Sequence, residues 1–328
     1  MIKSSVVLSA EAQCMNIESI WITGAHGFIG KHLARSLADF GHAVSGLGHG
    51  NWPEQQAAGW GVLHWINGEI HSGNLQLLQH AAGTPDVVYH LAGGSSVGAA
   101  IENPREDFFR TVCTTAELLE WLRLNAPSAR LIVISSAAVY GAGHRGEISE
   151  SQMPETISPY GCHKLVMEQL CRSYATTYKM KVVVARLFSV YGTLLQKQLI
   201  WDLCTKLATN SAAVELGGTG GELRDWTDVR DVVRALNLIM GQASCDVPVI
   251  NIGTGRAVSV REVVSLVIEA WPIMAHVSFN GNSRVGDPFS LVADGSRLGS
   301  LGFKWLISAE KGIEDYVSWY LREFGAGA

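Results

Sequence analysis

The feature that most constrains the fold is an apolar run, Ser19-Ile20-Trp21-Ile22-Thr23, which stops at a glycine-rich loop and passes directly into a helical pattern. Glycines stand at 24, 27 and 30, and Ile29, Leu33 and Leu37 then recur at helical spacing. A strand, a tight turn and a helix in that order begin a βαβ unit, whose next strand returns parallel to the first. Further apolar runs follow at 42–44, 87–90, 131–134, 182–185 and 247–251, with helical patterns at 116–124 and 160–178 between them. This alternation predicts an α/β protein built on a doubly wound parallel sheet. The unbroken apolar character of the runs predicts strands covered on both faces.

The glycine loop carries chemistry as well as topology. Gly24-Ala25-His26-Gly27-Phe28-Ile29-Gly30 lies where the backbone can turn tightly and approach a pyrophosphate at a helix N-terminus. Dinucleotide binding is therefore expected. A chain of 328 residues can bury one large core or two smaller ones. Past Tyr191-Gly192 the pattern changes to a helical stretch at 194–207 and a glycine-rich turn at 217–221, which predicts a smaller, discontinuous C-terminal substrate lobe. The expected division is an N-terminal extension at 1–17, a dinucleotide-binding domain at 18–190 rejoined by about 229–255, and a mainly substrate-binding lobe at 191–328.

Composition narrows the partners. The net charge of −5 offers no basic surface for nucleic acid, and no stretch reaches the ~20 apolar residues that span a bilayer. The six cysteines show neither paired nor metal-ligand spacing, so free thiols, no metal and a cytoplasmic location are expected.

Tyr160 and Lys164 stand four apart in a helical segment, which sets a phenol beside an ammonium on one face. A free phenol titrates near ~10 and accepts protons poorly at neutral pH unless a neighbouring cation favours the phenolate. Lys164 is the candidate cation.

With the glycine loop, His90-Leu91-Ala92-Gly93, Ser135-Ser136-Ala137-Ala138-Val139-Tyr140-Gly141 and Pro159-Tyr160-Gly161 with Lys164, the chain resembles the extended short-chain dehydrogenase/reductase family. Within it the likeness is to nucleotide-sugar epimerases, dehydratases and reductases of the UDP-glucose 4-epimerase type. Arg224-Asp225-Trp226-Thr227-Asp228-Val229, Asn251-Ile252-Gly253-Thr254-Gly255 and Arg284-Val285-Gly286-Asp287-Pro288 are similar to later signatures of the same family. The resemblance runs from Ile20 nearly to the C-terminus. It implies a Rossmann-type sheet, with Ser136, Tyr160 and Lys164 as the catalytic set. It implies cofactor contacts at Gly24, His26, Gly27, Phe28, Ile29, Gly30, His49, Glu69, Ile70, Leu91, Ala92 and Gly93, shared with Tyr160 and Lys164. For a nucleotide-diphospho-sugar it implies Ser95, Ser136, Ser189, Lys197, Arg224 and Arg284, the two arginines suiting a diphosphate through their planar forks. A homodimer is also implied by the resemblance.

Four departures matter. Gly48 stands where NAD-using relatives carry an aspartate for the ribose hydroxyls, so the cofactor is NAD or NADP, with His26 and His49 as candidate partners of the extra phosphate. Ala137 and Ala138 occupy positions that are acidic in dehydratases and decarboxylases of the family, which disfavours both reactions. Thr111 replaces a frequent asparagine whose structural role must then be met differently, and Ser189 replaces another near the diphosphate. Two reactions remain: epimerisation at carbon four of the sugar, or reduction of a 4-keto sugar by NADPH. A function of another class, a non-catalytic dinucleotide sensor, is opposed by the intact Ser136, Tyr160 and Lys164. Trp201 is expected in the core, and Cys162 and His163 are expected to face away from the reacting pair.

Overall fold

The computed structural model describes residues 17–209, 213–282 and 288–325. Seven strands form one sheet: β1 (Ser19–Thr23), β2 (Ala43–Gly48), β3 (Val62–Asn67), β4 (Val87–His90), β5 (Arg130–Ser136), β6 (Lys181–Leu187) and β7 (Val249–Ile252). Their order is 3-2-1-4-5-6-7, and every pairing is parallel. The order reverses between β1 and β4, which is where a doubly wound sheet opens a crevice at the carboxyl ends of its strands.

Both faces of the sheet are covered, as the apolar runs require. One face packs Ile20, Ile22, Tyr89 and Ile132 against Leu33 and Leu37 of α1 (Phe28–Asp39) and against Val232 and Leu236. The other packs Trp21, Val88, Leu131 and Val133 against Leu118 and Leu122 of α2 (Thr114–Asn125) and Met167 and Cys171 of α3 (Pro159–Tyr178). A separate apolar cluster joins Leu203 and Leu207 of α4 (Gln198–Thr209) to Val263, Val267, Ile313 and Tyr316. The chain leaves the sheet after β6, builds much of this cluster, returns for β7 and leaves again.

Three elements differ from their sequence expectation. β3 is not among the predicted runs: His64 interrupts its apolar residues Val62, Leu63, Trp65 and Ile66, and at the edge of the sheet only Val62 is buried. The last sheet strand begins at Val249 rather than 247, since Val247 takes a left-handed backbone (φ +53°) that no strand accommodates. The helix expected from 194 starts at Gln198, after Leu194 and Gln198 both adopt positive φ. Among the described residues no helix is long and apolar enough to cross a membrane.

Candidate active site

A cleft of about 1200 Å³ runs along the carboxyl ends of the strands and on to α4 and the segments 216–226 and 288–291. This exceeds the ~300–1,000 Å³ of an ordinary small-molecule site, as two nucleotide-sized ligands would require. At its switch-point end lie Gly24, Gly27, Phe28, Ile29 and Gly30. Gly24 adopts φ +76° and packs so closely that a Cβ there would stand 3.0 Å from Ala92 N. A Cβ on Gly30 would stand 2.3 Å from Gly24 O, so the loop folds back on itself only with glycine at both places. The N-cap of α1 is Gly27, with no side-chain cap, so its first N–H groups open onto the cleft. That uncapped helix start fits a pyrophosphate.

The opposite wall comes from β4. Leu91, Ala92 and Gly93 line the cleft, and Leu91 N donates to Thr23 O at 3.1 Å, holding the two strand ends together. Below them His90 is buried between Thr23 Oγ1 (2.7 Å) and Thr115 Oγ1 (2.9 Å). Burial first, and the Lys164 charge second, push its imidazole down to about 3, so it stays neutral and acts as a strut. Thr111, which stands where the resemblance leads one to expect an asparagine, is fully buried, and its Oγ1 accepts from Gly94 N at 2.8 Å. Its position lies in a π-helical turn, Phe109–Cys113, ahead of α2.

Ser136, Tyr160 and Lys164 meet in the middle of the cleft. Ser136 closes β5 and caps the following turn, its Oγ accepting from Ala138 N at 3.2 Å. Ser158 caps α3 by accepting from Gly161 N, and Pro159 takes the first helical position, which sets Tyr160 at the helix start. Gly161 then permits contact between the two segments: a Cβ there would stand 2.5 Å from Ala138 O. Sequence reasoning missed this requirement, although its glycine was in view.

Lys164 Nζ sits 6.0 Å from the Tyr160 ring centre and donates to Ile134 O at 2.9 Å. It is 3% exposed, and burial pulls its ammonium down to about 8 against the opposing charges of Asp107 and Glu168. Tyr160 itself is shifted upward by burial, with Ser136 acting in the other direction and the Asp107 charge adding to the rise. The protein alone therefore keeps the phenol protonated at neutral pH.

Two buried carboxylates support this centre from behind. Glu168, on α3 below Lys164, receives both Arg186 Nε (3.0 Å) and Nη2 (2.7 Å) and the Ser135 hydroxyl (2.5 Å). Asp107 is 6% exposed and accepts from His163 Nδ1 at 2.6 Å. His163 does face away from the cleft, as expected, but it is tied to the carboxylate whose charge reaches Lys164 and Tyr160.

Toward the second lobe the cleft is lined by Ser95, Ser189, Lys197 and Arg224. Lys197 Nζ donates to Ser95 Oγ at 2.7 Å, which joins the loop after β4 to the start of α4. Arg224 Nη1 donates to the carbonyls of Leu223 (2.8 Å) and Phe289 (3.2 Å). Its neighbour Asp225 is occupied elsewhere, accepting from Thr254 N, Gly255 N and Ala293 N. Arg284 lies outside the described residues. Trp201 both packs on Tyr320 and Phe324 and lines the cleft, so core and site are not alternatives for it. Lys206, Thr219, Glu222 and Phe289 also line this end, and no spacing in the sequence marked them.

At the adenosine end His49, Glu69 and Ile70 line the cleft, but His26 does not. Its ring lies 4.9 Å from that of Trp52 and fills the space beside Gly50, where a Cβ would come within 2.0 Å of His26 Nδ1. His26 is held beside Trp52 and Gly50 rather than on the cleft wall.

Comparison with known proteins agrees with this geometry. MoeE5, solved in complex with UDP-glucuronic acid and NAD, is 34% identical, with a TM-score of 0.83 over 93% of this chain and 100% of that one. The UDP-glucose 4-epimerase of Thermotoga maritima, solved with UDP-glucose, is 25% identical, with a TM-score of 0.84 over 93% and 99%. A putative UDP-glucose 4-epimerase of Methanocaldococcus jannaschii is 27% identical over 314 residues, 92% of this chain and 97% of that protein. The model of the NAD dependent epimerase/dehydratase family matches residues 20–253, which hold the glycine loop, Ser136, Tyr160 and Lys164, and the chain belongs to that family.

Proposed function

We propose that the chain is an NAD(P)-dependent nucleotide-diphospho-sugar 4-epimerase that works by transient oxidation at carbon four. The wall beside Ser136 sets dehydration and decarboxylation aside, and the 4-epimerases among the relatives favour epimerisation over reduction of a 4-keto sugar. At that wall the cleft is lined by Ala137 and Ala138, and the acidic residues that line it, Glu69, Asp202 and Glu222, come from segments remote from the Ser136 turn and α3. Eliminating water from the sugar needs a further acid/base at the reacting centre, and alanine offers none.

The roles follow from position. When bound, the nicotinamide supplies a hydride acceptor and donor. The N–H groups at the start of α1 hold the pyrophosphate, and Gly93 lets the chain pass close to Lys164. Tyr160, whose phenolate the positive charges of Lys164 and of a bound oxidised nicotinamide would favour, takes the proton from the carbon-four hydroxyl and later returns it, while Ser136 hydrogen-bonds the same oxygen. The keto sugar turns between these two events. Lys164 fixes the ribose beside Tyr160 and supplies positive charge. Arg224, Lys197, Ser189 and Ser95 face the diphosphate and sugar, and the elements after β6, apart from β7 and the helices Val229–Ile239 and Ser296–Ser300 that pack on the sheet, belong mainly to the substrate lobe. The family's UDP-sugar members in the comparison support the substrate class.

An assay with UDP-, GDP- and dTDP-sugars tests the assignment. Interconversion of the carbon-four epimers of one of them without added cofactor is the expected result. Stoichiometric consumption of NADPH with a keto sugar, and no interconversion, would replace it with a 4-keto reductase.

A further inference from the structure

The adenosine end of the cleft lacks a carboxylate where the architecture calls for one. In a dinucleotide-binding unit an acidic residue about 20 positions past the loop, at the end of the second strand, accepts from the ribose hydroxyls. Here β2 ends at Gly48 and His49 follows. The backbone keeps that place bare: Gly48 has φ +156°, and a Cβ would stand 3.2 Å from Gly24 N and 3.4 Å from Trp65.

The neighbouring strand supplies an acid instead. Gly48 pairs with Asn67, and Gly68 N donates to Gly48 O at 2.9 Å, so the exits of β2 and β3 lie side by side. Glu69 therefore stands next to His49, with its Oε1 3.0 Å from His49 Nε2. Both side chains line the cleft, and both are 63% exposed. An exposed pair of this kind adds little to stability. Its consequence is directional, because the imidazole draws the longer glutamate arm across from β3 toward the end of β2.

We propose that Glu69, oriented by His49, replaces the missing β2 carboxylate and selects NAD(H) against NADP(H); this rests on the cleft being the cofactor site. A carboxylate accepts from the hydroxyls of an unmodified ribose. A 2′-phosphate offers only acceptors and like charge, so it is repelled. The fixed cations nearby are engaged elsewhere: the Lys31 ammonium lies 5.6 Å over the Trp52 ring, and Arg35 donates to Gly59 O. Neither lines the cleft, and no lysine or arginine lines it within segments 24–30, 48–49 or 68–70.

The test is calorimetric titration of the full chain, freed of any co-purifying nucleotide, with NADH and with NADPH and no sugar present. NADH should bind tighter by about 30-fold, the order expected for losing a charge-assisted bond and gaining repulsion. Glu69→Gln should bring the two affinities within about 3-fold, and His49→Ala should weaken NADH several-fold with no gain for NADPH. Equal or tighter binding of NADPH by the unaltered protein overturns the proposal, as does an unchanged ratio in Glu69→Gln. An unaltered NADH affinity in His49→Ala overturns the orienting role. No binding of either dinucleotide overturns the cofactor site as well, whereas NADPH preference leaves the sugar chemistry standing.

Discussion

Replacing Tyr160 by Phe is expected to lower kcat by roughly 10³-fold or more, the scale at which a positioned acid/base contributes, while cofactor affinity and fold persist. The ring at the start of α3 keeps its packing, and only the O–H that interacts with Ser136 is lost. A single neutral hydrogen bond contributes about 1 kcal/mol, so the melting temperature should move little. Circular dichroism and dinucleotide titration check the fold and the binding, and a coupled epimerase assay checks the rate. Unchanged turnover would remove Tyr160 as the proton carrier. Intact binding with no turnover in the unaltered protein would instead favour the dinucleotide sensor.

Lys164→Met is expected to separate activity from stability. Turnover should fall by about 10²-fold or more, because the positive charge beside the phenol and the ribose contact go together. Stability should move the other way. The folded-state pKa of Lys164, about 8, lies below its ordinary 10.5, because a charged ammonium 3% exposed is poorly solvated. Below pH 8 the folded protein carries that charge at a cost. As pH rises through 8 toward 10.5 the folded protein sheds the proton before the unfolded chain does, and the cost disappears. The direction is thus increasing wild-type stability with pH across that window. At pH 7 the methionine variant should gain on the order of 3 kcal/mol from the missing charge, offset by about 1 kcal/mol for the unpaired Ile134 carbonyl. Its melting temperature should be at least that of the unaltered protein at pH 7, and the advantage should shrink by pH 9.5. A variant less stable at pH 7 than at pH 9.5, relative to the unaltered chain, would contradict the sign.

The parts of this architecture that were legible in the sequence share one property: local chemistry dictates them. The glycine loop works only between a buried strand and a helix, and Tyr160 with Lys164 depends on helical spacing alone. β3 was less legible because His64 breaks its apolar residues into two pairs, as an edge position with only Val62 buried allows. Asp107 with His163 joins residues 56 apart in sequence, and Glu69 with His49 needs the register of two strands before it exists at all. The packing of the His26 ring on Trp52 and beside Gly50 likewise depends on contacts that the loop sequence does not display. The far end of the cleft was illegible for a simpler reason: Lys206, the turn with Thr219 and Glu222, and Phe289 come from three separate segments with no common period.

The central claim is that one hydride leaves and returns to the same carbon while Tyr160 handles the proton. A nucleotide-sugar substrate deuterated at carbon four, turned over in ordinary water without added cofactor, tests it most directly by mass spectrometry and NMR of the product. Retention of the deuterium at carbon four of the epimer is the predicted result; its replacement by hydrogen would contradict the account.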